Sequence, residues 1–193
     1  MRDAAQSDMH SRLCQEGVPL GELFSFTSGL YFRGKLTYAR EFAKAPDGVP
    51  GAYVITACGG LIPPERCFTL EQVREICAGD VDPANAQYSG PLNRDLRILS
   101  ELAGTDSQII LLGSIATPKY VEPLLRILGT RLLFPAEFVG RGDMSRGGLM
   151  LRCVSEGREL TYIPVATAVR HGPRPPRLAR RQRTKGEGHL PAT

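Results

Sequence analysis

The run Gln108-Ile109-Ile110-Leu111-Leu112 constrains the chain more than any other segment. It is too short for a buried helix, rich in aliphatic side chains and stopped by Gly113, so it reads as a strand covered on both faces. Helical patterns lie on either side of it. Residues 30–45 carry Leu36, Ala39, Phe42 and Ala43 on one face. Thr69-Leu70-Glu71-Gln72 is a capping box that opens a helix through Val73, Ile76 and Cys77, stopped by Gly79. Pro91 suits the first turn of a helix bearing Leu92, Leu96, Leu99 and Leu102, and Gly104 closes it. Thr117-Pro118 starts a further helix that Pro123 kinks and Gly129 ends.

Shorter strands fit between these helices. Residues 52–56 and 131–134 have β-type composition, and residues 149–154 and 159–165 read as a hairpin about Ser155-Glu156-Gly157-Arg158. Strands separated by helices pair in parallel through right-handed crossovers. The expected fold is therefore α/β: a three-layer, Rossmann-like, mostly parallel sheet with helices on both faces and a C-terminal β-hairpin at one edge. Residues 1–22 show little pattern and read as a loosely ordered lead-in, and residues 23–169 as a single α/β domain.

Charge is concentrated at the end of the chain. The 193 residues carry a formal charge of +4, yet from Arg170 onward seven basic residues face one acidic residue. The preceding 169 residues hold 17 basic and 19 acidic side chains, a balance of −2. Residues 170–193, rich in Pro, Arg and Gly, are expected to be a disordered basic tail, either an arm for nucleic-acid phosphates or a solubilising extension.

Hydrophobic content of 42% and charged content of 23% match globular proteins, and no apolar run approaches the ~20 residues of a spanning helix. The first residues hold no apolar signal core, so a cytoplasmic location without membrane attachment is expected. The five cysteines are an odd number with no C-x-x-C pair, and the histidines (His10, His171, His189) lie near the ends. Free thiols, no metal site and no cofactor follow as expectations.

In an open parallel sheet ligands bind beyond the carboxyl ends of the strands. Three glycine-rich segments would meet there: one with Gly59 and Gly60, one with Gly113 and Ser114, and residues 135–148. The third places Arg141, Asp143 and Arg146 within six residues, two cations to clamp an anion and a carboxylate to orient water or act as general base. The same residues also serve as ordinary loop-ordering pairs. In residues 28–35, Tyr31 or Phe32 offers a ring to stack on a base while Arg33 or Lys35 meets phosphate, or the aromatics are core anchors with solvated neighbours. Cys58 and Ser114 are conceivable nucleophiles with no base identifiable beside them.

The segments Gly29-Leu30-Tyr31-Phe32-Arg33-Gly34-Lys35-Leu36-Thr37-Tyr38-Ala39 and Tyr53-Val54-Ile55-Thr56-Ala57-Cys58-Gly59-Gly60-Leu61-Ile62-Pro63-Pro64 together resemble the YaaA-type proteins. That resemblance implies a nucleic-acid context rather than a defined reaction. Residues 109–116 are similar to a strand and turn of uracil-DNA glycosylase-like folds, without that family's water-activating motif or histidine loop. The reading that follows is a nucleic-acid-associated protein holding a nucleotide or phosphate in a Gly-lined crevice, through Tyr31, Arg33, Lys35, Gly59, Gly60, Gly113, Ser114, Arg141 and Arg146. A small-molecule enzyme with Asp143 as base and a catalytically empty partner-binding module are the alternatives.

Overall fold

Proline, glycine and side-chain caps mark several of the element boundaries in this chain. The computed structural model describes residues 2–116, 118–169, 172–176 and 178. Helix α1 (Arg2–Gln15) leads into strand β1 (Val18–Pro19), and Pro19 is followed at once by α2 (Leu20–Phe42). Gly29, at φ 62° and ψ −139°, breaks α2 into two helical segments, a conformation that only glycine adopts without strain. Strands β2 (Val54–Ile55) and β3 (Leu61–Ile62) form an antiparallel hairpin, and β4 (Cys67–Phe68) pairs antiparallel with β1. Helix α3 (Leu70–Cys77) starts on the expected capping box: Gln72 N–H donates to Thr69 Oγ1, and Thr69 N–H donates to Gln72 Oε1 at 3.0 Å.

Helix α4 (Ala86–Leu102) begins at the Asn85 cap, so Pro91 lies inside the helix rather than in its first turn. Strand β5 (Ile109–Ile110), helix α5 (Pro118–Leu128), strand β6 (Leu132–Pro135), helix α6 (Asp143–Glu156) and strand β7 (Tyr162–Pro164) complete the order. Thr117, the expected cap of α5, lies outside the described residues.

The three-layer parallel sheet does not form. Among the described residues there are two two-stranded sheets and one of three strands, in the order β5-β6-β7. Only β5 and β6 run parallel, with Ile109 opposite Leu132 and Ile110 opposite Leu133; β7 joins β6 antiparallel. The architecture is mixed helix and strand, dominated by helices. The apolar run at 108–112 keeps only Ile109 and Ile110 in the ladder, and both are half-buried rather than covered on both faces as expected.

The expected C-terminal hairpin is corrected in the same way. Residues 149–154 form the second half of α6, and only the second expected arm contributes a strand, β7. Leu149, Met150 and Cys153 are the buried members, and their i, i+1, i+4 spacing belongs to a helix face. Gly157, at φ 61°, supplies the left-handed stop. Residues 1–22, read as a loose lead-in, contain α1, β1 and the start of α2, with Met9 and Leu13 buried against Val18 and Leu23. Most of residues 170–193 lies outside the described residues, but Gly172 packs on Val139.

Helices α2 and α6 cross with their backbones in contact. A Cβ added to Gly34 would lie 2.7 Å from the Gly147 carbonyl oxygen, and one added to Gly147 would lie 2.8 Å from that of Leu30. Around this crossing packs the main core, which includes Tyr38, Tyr88, Leu92, Val121, Phe134, Phe138 and Met150. Tyr38 ties α2 to the chain entering β7: its hydroxyl meets Tyr162 Oη at 2.7 Å and accepts from Leu160 N–H at 2.7 Å. No helix among the described residues is long and apolar enough to cross a membrane.

Gly34→Ala gains helix propensity of ~1 kcal/mol but forces methyl against backbone that cannot yield. Overpacking of this kind costs about 1–3 kcal/mol, so a lower urea midpoint with an unchanged slope is expected. An unchanged midpoint would contradict backbone contact between α2 and α6.

Candidate anion-binding site

The Gly34–Gly147 contact presses one face of α2 against the first turn of α6. Tyr31 and Lys35, one helical turn apart on α2, share that face with Gly34. Asp143 and Arg146 stand one turn apart at the start of α6, with Arg146 Nη1 3.7 Å from Asp143 Oδ1. The Arg146 side chain is only 12% exposed. Its Nε and Nη2 donate to the Phe138 carbonyl at 3.3 and 3.2 Å, and its guanidinium lies 5.5 Å from the Phe138 ring centre. Arg146 is thus held from behind, and its position is set by backbone rather than by solvent.

Lys35 is held differently. Its Nζ sits 4.0 Å from the Tyr31 ring centre. Among the described residues it has no hydrogen-bond acceptor and no ion pair within contact distance. Burial pushes its pKa down from the ordinary 10.5 to about 8; the Asp143 carboxylate opposes that shift, and the Arg146 cation adds to it. Beside it the Tyr31 hydroxyl is buried without a hydrogen-bond partner. Burial pushes the Tyr31 pKa up, and the nearby Arg146 guanidinium holds it back electrostatically without meeting the hydroxyl in hydrogen-bond geometry.

The α6 terminus faces outward with glycine at its cap. Gly142 has no side chain to satisfy the first-turn N–H groups, so the positive end of the helix is open to an anion. A depression of about 480 Å³ lies over this turn, lined by Gly142, Asp143, Met144, Ser145 and Arg174. Arg141 borders it, but its guanidinium is engaged: Nε donates to the Glu137 carbonyl at 2.9 Å, and Nη1 to Ser145 Oγ at 3.2 Å and to the Pro176 carbonyl at 3.4 Å. Arg141 therefore straps residues 172–176 across the site more than it clamps a ligand. Asp143 is 65% exposed. It pairs with Arg146 and favours the helix start, and nothing buries it as a general base would require.

The remaining sequence candidates lie elsewhere. Gly59 and Gly60 form the turn of the β2–β3 hairpin, packed on α4, where Asp95 Oδ2 accepts from Leu61 N–H at 3.0 Å. Gly59 lines a separate cleft of about 270 Å³ with Tyr53, Arg66, Arg94, Asp95 and Ile98. Gly113 and Ser114 sit between β5 and α5, and Ser114 Oγ accepts from Ala116 N–H at 3.3 Å, a local turn. Arg33 is exposed on α2. With one parallel strand pair in place of an open sheet, the three glycine segments do not meet in one crevice. Arg174 and Ser145 were not among the sequence candidates. The signal for Ser145 was its place as a hydroxyl in the Gly-rich segment 135–148, and that for Arg174 was the run of basic residues after Arg170, which composition assigned to a tail. His171 lies outside the described residues.

No group of three or more potential metal ligands occurs among the described residues. Searches against protein-family models, curated proteins and solved structures find no match to this chain.

Lys35→Met tests the electrostatics directly. With its native pKa near 8, Lys35 opposes folding wherever it must be charged. Between that value and the unfolded value of ~10.4 the unfolded chain binds more protons, so wild-type stability climbs with pH across this window. Below pH 8 the full penalty stands, and the Met variant should be more stable by ~2 kcal/mol at pH 7. Urea unfolding of both proteins from pH 7 to 10 should show the two curves converging. Parallel curves would contradict a half-buried Lys35 without an acceptor.

Proposed function

We propose that the protein binds a phosphate group, carried by a nucleotide or a nucleic-acid backbone in the cytoplasm, at the junction of α2 with the N-terminus of α6. The observation that carries this reading is Lys35: a half-buried ammonium with three donors and no acceptor among the described residues. Unpaired charge at such a position is costly, and an oxyanion removes the cost by supplying acceptors. A second unmet group, the Tyr31 hydroxyl, lies beside it. The open first turn of α6 and the Arg146 guanidinium add positive potential from the opposite side.

A tetrahedral phosphate suits donors arriving from separate directions better than a planar carboxylate does. Arg174 at the rim of the depression and the basic excess beyond Arg170 favour a ligand with further phosphates, as a nucleic acid has. Asp143 limits the site by repelling anions that approach from the solvent side of Arg146.

Calorimetric titration with inorganic phosphate, a mononucleotide and a DNA oligomer at two salt concentrations tests the proposal. All three should bind wild type, the oligomer with the steepest salt dependence. Lys35→Met should weaken phosphate and mononucleotide by about tenfold or more, the effect of ~1.4 kcal/mol. Equal affinity in the two proteins would overturn the assignment of the site.

A further inference from the structure

On the opposite side of the β2–β3 hairpin from α4, two cysteines come together that the phosphate site does not use. Cys58 N–H donates to the Ile76 carbonyl at 3.0 Å. Cys77 follows Ile76 directly, so bond lengths alone keep the Cys58 and Cys77 Cα atoms within about 7 Å, the upper limit for a disulfide without backbone movement. The Cys58 sulfur packs towards the segment that ends α3: a Cβ placed on Gly79 would overlap it. Cys58 is half-buried and Cys77 exposed, so one thiol is open to solvent and the other stands behind it. The Cys77 pKa is pushed up by burial and by Cys58, as expected when one thiolate must form near another sulfur.

The other cysteines are placed differently. Cys67 is exposed on β4, its sulfur directed to the Glu65 carbonyl at 4.0 Å. Cys14 is exposed on α1 near His10, and Cys153 is buried in the main core.

We infer that Cys58 and Cys77 form a reversible disulfide-modification site, oxidised by low-molecular-weight disulfides of the glutathione class. The Cys77 thiolate attacks one sulfur of the oxidant, forming a mixed disulfide and releasing one thiolate. Cys58, as thiolate, then attacks the Cys77 sulfur, closing the protein disulfide and releasing the second thiol. Two protein thiols and one small disulfide thus become one protein disulfide and two small thiols. The closed bond ties the turn bearing Gly59 and Gly60, one wall of the α4 cleft, to the end of α3.

The test uses the full chain equilibrated in glutathione buffers of increasing oxidation, trapped with an alkylating agent and digested with trypsin. Cleavage places Cys58 on residues 45–66, Cys67 on 67–74 and Cys77 on 75–94. The expected product is a 45–66/75–94 linked pair, formed with loss of two free thiols per chain and reversed by reduced glutathione. Cys67→Ser should leave it unchanged, and urea-unfolded wild type should give mixed pairings instead. A linked peptide containing Cys67, or native protein that forms only mixed disulfides with glutathione, would overturn the proposal. The readout on wild type keeps the result decisive even if a cysteine variant folds poorly.

Discussion

The contact of Gly34 with Gly147 is the constraint on which the rest of the structure depends. Two helices whose backbones touch cannot hold large side chains at the crossing, so the residues one turn away must fill the space that diverges from it. On α2 that places Tyr31 and Lys35 against the start of α6, and on α6 it places Arg146 against Phe138. On the far side of the crossing the same two helices enclose Tyr38, Met150 and Cys153, which join the core beneath β6 and β7. The fold's stability and the charged cluster at its surface therefore share one origin. The small sheets are consequences rather than organisers: strands of two to four residues add only a few backbone bonds to a packing already set by helices.

The charged cluster is costly to the fold and is retained by it. Arg146 is satisfied by a carbonyl, a ring and a carboxylate. Lys35 has a ring only, and Tyr31 has no partner for its hydroxyl. Cores made for stability alone fill such positions with apolar side chains, so the amine and the phenol beside the helix terminus are the least satisfied polar groups of the cluster. Arg141 differs from Lys35 in that its guanidinium is spent on the Glu137 and Pro176 carbonyls and on Ser145.

Local signals in the sequence were legible and long-range pairing was not. The capping box at Thr69 and Gln72 involves four adjacent residues and formed as read. The leucine stripe of α4 was legible for the same reason, with Leu92, Leu96 and Leu99 buried, although Leu102 is exposed and the helix starts earlier than Pro91 implied. Residues 149–154 misled because Leu-Met-Leu-Arg-Cys-Val suits a strand by composition. What decided for helix was its packing on α2 through Gly147, a contact made 113 residues away in the chain, at Gly34. The parallel sheet failed on the same ground, since no property of 108–112 announces which strands will pair with it or in which direction. Of the candidate site, Tyr31, Lys35, Asp143 and Arg146 were all singled out by type and spacing, yet from two separate segments whose meeting the sequence did not announce. Gly59, Gly60, Gly113 and Ser114 were grouped with them only through a sheet that does not exist.

Whether the half-buried Lys35 ammonium receives an oxyanion is read from its own titration. In a protein labelled at lysine Cε, the NMR resonance missing from Lys35→Met identifies the residue, and its shift can be followed against pH with and without inorganic phosphate. A pKa near 8 is expected in the free protein, with a clear upward move at saturating phosphate, because an anion that binds the charged amine must favour its protonation. A resonance that titrates in the ordinary lysine range without ligand, or that stays near 8 whatever the phosphate concentration, would contradict it.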